Sequence, residues 1–266
     1  MAGVDKPRSS AGVFCLMRSN LLLIVVSLLV ALIAWQLVVV WVGYPAYILP
    51  SPGLVWERFV QVLSDGTLLR NGLVTLLEVL LGLVAGVGVA TLLGYLLAKS
   101  LPLEKLLAPY IVASQSIPVV AIAPLLVIWF GPGLLSKVLI CALIVFFPVL
   151  INTVVGMRSV SDDLRDLMRS LHATRWQMLR LLEVPAALPV FLGGLRIGAT
   201  LAVIGAVVGE FVGAKSGLGF LVNVGKGVYD TALVFVAVFA LIVMAMGLYG
   251  LVALLEARLL RWRQRP

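Results

Sequence analysis

Charge is what this sequence has least of. Only 12% of its 266 residues are Asp, Glu, Lys or Arg, where a soluble domain carries about a quarter. With 62% hydrophobic residues and a mean hydropathy of +1.15, the chain cannot cover itself with water-compatible surface, which excludes a soluble globular class. Histidine is nearly missing. His172 stands alone, with no Cys or carboxylate constellation around it in sequence, and indicates no metal site. Cys15 and Cys141 are isolated, without CxxC spacing, and indicate neither a disulfide nor a thiolate metal site. A phosphate-binding loop is absent as well: the nearest string, Gly225-Lys226, is followed by Gly227 instead of Ser or Thr. No low-complexity tract and no internal repeat stand out, and the missing repeat weighs against a secondary transporter made of two inverted halves.

What is present is a series of long apolar runs. Crossing the hydrocarbon takes roughly 20 apolar residues in a helix, and six runs qualify: Leu21–Val42, Leu73–Ala98, Leu106–Phe130, Val138–Gly156, Ala187–Val212 and Ala232–Glu256. The predicted fold class is all-α, a polytopic membrane protein of about six transmembrane helices. The third run contains Pro118 and Pro124 and can alternatively be split at either into a broken or re-entrant segment. The first run is long enough to span and is followed by no small-residue cleavage site, so it reads as a retained helix.

The basic residues predict orientation. With both termini in the cytosol, fourteen of the twenty Lys and Arg residues lie inside, among them Lys99, Arg158, Arg165, Arg169 and Arg175. Five lie outside: Arg58, Arg70, Lys137, Lys215 and Lys226. That asymmetry follows the positive-inside rule, so the net charge of +8 is topological and implies no nucleic acid partner. The expected organisation is a cytosolic tail over 1–20, a first transmembrane helix and outside connection over 21–69, a transmembrane domain over 70–257 that carries a cytosolic loop at 157–186, and a basic cytosolic tail over 258–266. Within the outside connection, Leu54–Leu63 can form a short amphipathic helix with Trp56 and Phe59 at the interface.

Three features inside the spans carry two readings each. Gly82 and Gly86 in span two, and Gly194, Gly198, Gly205 and Gly209 in span five, recur at four-residue steps and let backbones approach closely. They serve packing within one subunit or line a subunit interface. Ser114, Gln115 and Ser116 sit beside the prolines of span three, where a bent helix lines a substrate path or forms a satisfied kink. Glu78, Arg196 and Glu210 are costly in lipid and need partners or water. Arg196 and Glu210 are about 21 Å apart along one helix and cannot pair with each other. Glu210, near the outer end, reads as a solvated residue or a member of the path.

The longest polar interruption runs from Ser161 to Arg180. Ser161 reads as an N-cap, with Asp162 and Asp163 in the first turn where the helix dipole favours them. Leu164, Leu167, Met168 and Leu171 then form one apolar stripe at helical spacing. Thr174 with Gln177 fits a capping box that starts a second helix, which Pro185 is expected to stop. Two short helices hinged at Leu171-His172-Ala173 follow, suited to being gripped by another protein or to lying on anionic lipid headgroups.

The same residues resemble a known family. Asp166-Leu167-Met168, His172, Leu182, Val184 and Pro185 occupy the positions of the EAA loop of binding-protein-dependent ABC importer permeases: Glu-Ala-Ala, a Gly four residues on, then Ile-x-Leu-Pro. Arg175-Trp176-Gln177, Pro185-Ala186-Ala187-Leu188-Pro189, Gly194-Leu195-Arg196-Ile197-Gly198, Glu210 and Ser216-Gly217-Leu218-Gly219 look like the nitrate/sulfonate/taurine-type branch. The likeness covers roughly residues 70–255. It departs at Asp166, a shorter carboxylate, at Leu167 and Met168 in place of alanines, and at His172 in place of glycine; among non-glycine residues, His is one of those that tolerate positive φ better than most.

The resemblance implies a type I ABC importer permease fold and a non-enzymatic subunit without a cofactor of its own. ATP is then used by separate cytosolic ATP-binding subunits, which receive the loop through Asp166, Leu167, Met168, Leu171, His172, Trp176 and Pro185. A solute-binding protein delivers substrate from outside, and two permease copies in the inner membrane, in contact with its lipid, form the path, for which Ser114, Gln115, Ser116 and Glu210 are the candidates. Gln115-Ser116-Ile117-Pro118, Ala123-Pro124-Leu125 and Trp129-Phe130-Gly131 resemble permeases for vitamins and their precursors. Riboflavin or a thiamine-type pyrimidine is therefore expected ahead of sulfonates, taurine or nitrate. An ion-coupled secondary transporter and a membrane scaffold that recruits a partner through the loop are the competing classes.

Overall fold

The computed structural model describes residues 10–261, with the side chains of residues 10–22 and 24 left aside. Among the described residues every regular element is helical. Helix α1 (Ser10–Val42) begins eleven residues before the expected start at Leu21, since its apolar run is preceded by residues that continue the helix. A short interfacial helix, α2 (Pro52–Ser64), forms where the amphipathic segment was expected, with the Ser51 hydroxyl accepting the N–H of Leu54 and Pro52 in the first turn. Helix α3 (Thr67–Lys99) follows after Gly66 at φ 77°. Gly66 has no side chain to cap with, and Asp65 does the work instead by accepting the N–H of Thr67 at 2.8 Å. That backbone bond holds the exposed Asp65 carboxyl below the usual carboxylate range.

The third apolar run is not one straight span. It consists of α4 (Leu101–Gln115) and α5 (Val119–Phe130), inclined at 94° across a break of three residues. The break falls at Pro118, which supplies no N–H and pushes Ile117 out of the helical region. Pro124 stays within α5. Helices α6 (Leu134–Arg158), α9 (Val184–Gly213) and α11 (Thr231–Leu259) complete the bundle, and a short α10 (Leu218–Gly227) covers the end where α9 stops. Among the described residues, five helices are long and apolar enough to cross a membrane, or six spans if α4 and α5 together count as one.

The core is the trio α3, α6 and α9, with α6 in the middle, and glycine sets its spacing. A Cβ on Gly86 would lie 2.7 Å from the carbonyl of Ala142, and one on Gly94 2.8 Å from Thr153 Cβ. On the other flank, a Cβ on Gly194 would meet Asn152 at 2.6 Å and one on Gly205 would meet Cys141 Cα at 2.8 Å. Both glycine rows therefore face α6 of the same chain. The span-five glycines thus serve packing within the chain, because small residues let van der Waals contact and close backbone approach hold helices together in lipid. Val145, Val149, Ala199, Ala202 and Ala206 fill the rest of this seam and are fully or almost fully buried.

Candidate functional site

The polar interruption folds as two helices that project from one end of the bundle, the end where α3 and α6 finish. Helix α7 (Asp162–Ser170) carries Asp162 and Asp163 in its first turn. Ser161 stands at the N-cap in extended conformation, but its hydroxyl makes no cap hydrogen bond, which corrects the expected role of that side chain. The other end of α7 is closed by a Schellman motif. The N–H of Ala173 donates to the carbonyl of Met168 at 3.0 Å and that of His172 to Arg169 at 2.9 Å. The motif needs a left-handed residue after the cap, usually glycine, and His172 supplies it at φ 54°.

That geometry yields a first prediction. Replacing His172 by Gly removes the cost of a side chain in the left-handed region and is expected to stabilise the hinge by about 1 kcal/mol. Replacing it by Val, whose branched Cβ makes positive φ an outlier, is expected to weaken it by about 1–2 kcal/mol. Hydrogen exchange at the Ala173 amide, which reports local opening, checks both.

Helix α8 (Arg175–Met178) starts on a complete capping box, the Thr174 hydroxyl accepting the Gln177 N–H at 3.3 Å while Gln177 Oε1 accepts the Thr174 N–H at 2.8 Å. Pro185 does not stop this segment. Residues Leu179–Glu183 form a π-helical turn, in which the N–H of Val184 reaches back to the carbonyl of Leu179, and α9 continues from Val184 through Pro185. The wider turn moves Pro185 into the first turn of a new α-helix, where its missing N–H leaves no bond unmade. Helices α8 and α9 and the turn between them thus form one continuous element of 39 residues from Arg175 to Gly213.

The loop presents an exposed apolar face. Leu164, Leu167, Leu171 and Trp176 are about half to two-thirds exposed, Met168 is half-buried, and Asp166 pairs only with Arg169 on its own helix at 2.9 Å. Pro185 is half-buried at the junction with α9. Six of the seven expected loop residues therefore share one projecting element, and Pro185 marks its root.

The α4–α5 break brings Ser114, Gln115 and Ser116 together. Ser114 Oγ donates to the carbonyl of Ile111 at 2.9 Å and Ser116 Oγ to that of Val112 at 3.4 Å, while Gln115 is exposed. These bonds satisfy the last turn of α4 and leave the amide of Gln115 free to face outward. Glu210 is elsewhere. It is 1% exposed, so it is not a solvated residue at the edge of the span. Its carboxylate accepts the Thr75 hydroxyl at 2.6 Å and the N–H of Gly219. Thr75 Oγ1 accepts the N–H of Leu218 at 2.8 Å, and Asn71 Oδ1 accepts that of Gly217 at 2.7 Å. The residues from Ser216 to Gly219 are thereby stitched to α3 and α9. Beside them Lys137 donates to Glu78 at 2.7 Å, both side chains being buried.

Lys137 was expected outside the spans, as a charge facing water. It lies instead in the first turn of α6 with its ammonium turned inward, where the Glu78 carboxylate on α3 compensates its burial. Arg196 likewise finds its partner on another helix, pairing with Glu256 of α11 at 2.7 Å and lying over the Tyr249 ring at 5.5 Å. Sequence reasoning missed Thr75, Asn71, Lys137 and Glu183 as members of polar contacts. No sequence signal marks the first three, since their partners are 59 to 146 positions away. Glu183, directly before a Val-Pro step at the root of the charged loop, was the one with a signal.

The glycine-spaced bundle and its projecting two-helix loop define a multi-span helical membrane protein with no metal-binding cluster among the described residues. Residues 86–261 match the family described as the binding-protein-dependent transport system inner membrane component, and the chain belongs to that family: it is a permease subunit of an ABC importer, a multi-pass inner-membrane protein. It is 52% identical over 237 residues to the riboflavin transport system permease protein RibX of Chloroflexus aurantiacus, spanning 89% of this chain and 88% of that one. It is 37% identical over 239 residues to the formylaminopyrimidine transport permease protein ThiX of Halalkalibacterium halodurans, covering 89% and 94%. In fold it is similar to a chain of the MetNI methionine ABC transporter in an inward-facing conformation, with a TM-score of 0.64 at 20% identity over 76% of this chain and 98% of that one.

Proposed function

We propose that this permease carries riboflavin, delivered by a solute-binding protein on the outer side, and that cytosolic ATPase subunits drive it through the 161–178 loop. The observation that carries the substrate is the 52% identity to the riboflavin permease over nearly the full length of both chains. The loop reading is supported by its geometry. An amphipathic helix with its apolar stripe bare, closed by a Schellman turn and fused through α8 to a membrane helix, can move as one body with whatever grips it. In this reading both termini are cytosolic, two copies of the chain enclose the path, and Ser114, Gln115 and Ser116 at the α4–α5 break face it. Glu210 enters as a support of the outer loop rather than a path residue, because its oxygens are already engaged within the chain. Family membership removes the ion-coupled transporter and the scaffold from consideration.

Reconstitution with its cytosolic ATPase and solute-binding protein tests the proposal. ATP-dependent accumulation of radiolabelled riboflavin in the vesicles is the expected result. Accumulation of formylaminopyrimidine or taurine in its place would move the chain to another substrate. For the loop, Asp166→Lys is expected to abolish co-purification of the ATPase while leaving the permease in the membrane; an intact complex would refute the docking role.

A further inference from the structure

The two ends of the projecting loop are each held to the same corner of the bundle. That corner is the turn from α3 into α4 at Ser100, whose hydroxyl accepts the N–H of Leu103 and starts α4. On the side where the loop begins, Arg158, the last residue of α6, donates through two nitrogens to both oxygens of Glu104 in the first turn of α4, the bond from Nη1 being 2.8 Å, and through Nη2 to the carbonyl of Leu97 in α3 at 3.4 Å. On the side where the loop ends, Glu183 in the π-helical turn accepts from Lys99, the last residue of α3, at 2.5 Å. Glu183 is 1% exposed. A third tie, from the Arg165 guanidinium to the carbonyl of Met157 at 2.9 Å, fixes α7 to the end of α6.

We infer that the α3–α4 corner transmits loop movement to the broken helix, through the Arg158–Glu104 and Lys99–Glu183 ion pairs acting as two clasps. The corner is continuous with α4, and α4 ends at the break that carries Ser114, Gln115 and Ser116. A displacement of the loop as a rigid body therefore pulls on the base of α4 from both sides. The clasp at Glu183 is the stronger candidate for a mechanical link. Glu183 is removed from water, so a movement that parts it from Lys99, whose side chain is 38% exposed, leaves a buried charge unpaired. The π-helical turn that contains it is a site where backbone register changes, a feature that concentrates at functional positions. Lys99 and Glu183 are positioning residues here: they touch no substrate, and they act through α4.

The inference rests on the reading of 161–178 as the ATPase docking loop, and the test separates the two. Spin labels on Ser116→Cys and Leu69→Cys, in a Cys15→Ser background, report the distance between the α4–α5 break and the far end of α3 in the complete transporter. ATP with vanadate is expected to shift that distance in the otherwise unaltered protein. In Glu183→Gln and in Lys99→Met the shift is expected to collapse, and riboflavin uptake per ATP hydrolysed to fall about fivefold or more, the lower range of measured couplings between sites. The ATPase stays bound and continues to hydrolyse ATP in both variants. The exchange Lys99→Glu with Glu183→Lys is expected to restore the shift, an outcome that loss of folding alone does not produce. Absence of any shift in the unaltered protein, a full shift in either single variant, or failure of the exchange to restore it would each overturn the inference. An ATPase that remains bound to Asp166→Lys would instead overturn the docking reading, whatever the clasps do.

Discussion

Lys137→Met is expected to cost about 3–5 kcal/mol, the range found when one member of a buried ion pair is removed and the other stays. The Lys137 ammonium is 2.7 Å from Glu78, and the side chains are 7% and 1% exposed. Without Lys137, the Glu78 carboxylate keeps its desolvation and loses its counter-charge. The second carboxylate of the same region, Glu210, is already committed to Thr75 and Gly219 and brings no counter-charge. The expected observation is a lowered midpoint of thermal aggregation in detergent, with reduced recovery from membranes. The double variant Glu78→Leu/Lys137→Met removes both charges and is expected to recover most of the loss, since an apolar replacement of a buried pair is often neutral or stabilising. A single Lys137→Met that matches the unaltered protein would show that the pair contributes nothing.

Gly217→Ala is expected to be nearly as damaging by a different route. Gly217 sits at φ 120° and ψ 167°, a region open essentially to glycine alone, and holding another residue there costs on the order of 1–3 kcal/mol. A Cβ at this position would also overlap the carboxylate of Glu210. Relieving that overlap means moving either the loop or Glu210, and overpacking of this kind adds about 1–3 kcal/mol. Moving the loop breaks the bonds from Gly217 to Asn71 and from Leu218 to Thr75, and moving Glu210 breaks its bonds to Thr75 and Gly219. The effect is expected to appear as faster proteolysis between Gly213 and Leu218 as well as lower thermal stability. Gly213→Ala is the control, because its Cβ would meet Pro132 at an ordinary 3.6 Å.

These two sites show where sequence reasoning stopped. Glu78, Glu210 and the Ser216–Gly219 string were each visible as unusual, yet their joint use was not. Glu210 looked solvated because it lies near the end of its span, and only the folding of Gly217–Gly219 back over α9 removes it from water. Lys137 looked like an outside charge for the same reason: position along the chain says how deep a residue is, not which way it turns. The loop was more legible. Its capping box, hinge and apolar stripe are local, set within four residues of one another, and Thr174, Gln177 and His172 took the roles their chemistry indicates. Pro185 was misjudged, since a π-helical turn lets a helix pass a proline that an uninterrupted α-helix would not accept.

By itself, then, the sequence determined everything that depends on short-range physics: the membrane class from the scarcity of charge, the apolar spans from their length, the break at Pro118 as one of two options, and the two-helix loop with its left-handed hinge. Tertiary structure alone decided which charges meet, that both glycine rows turn toward α6, and that the two ends of the loop are clasped to one corner. The reason is that pairing in a bundle depends on the rotation of each helix about its axis. That rotation is set by all the neighbouring helices at once, and no single stretch of residues encodes it.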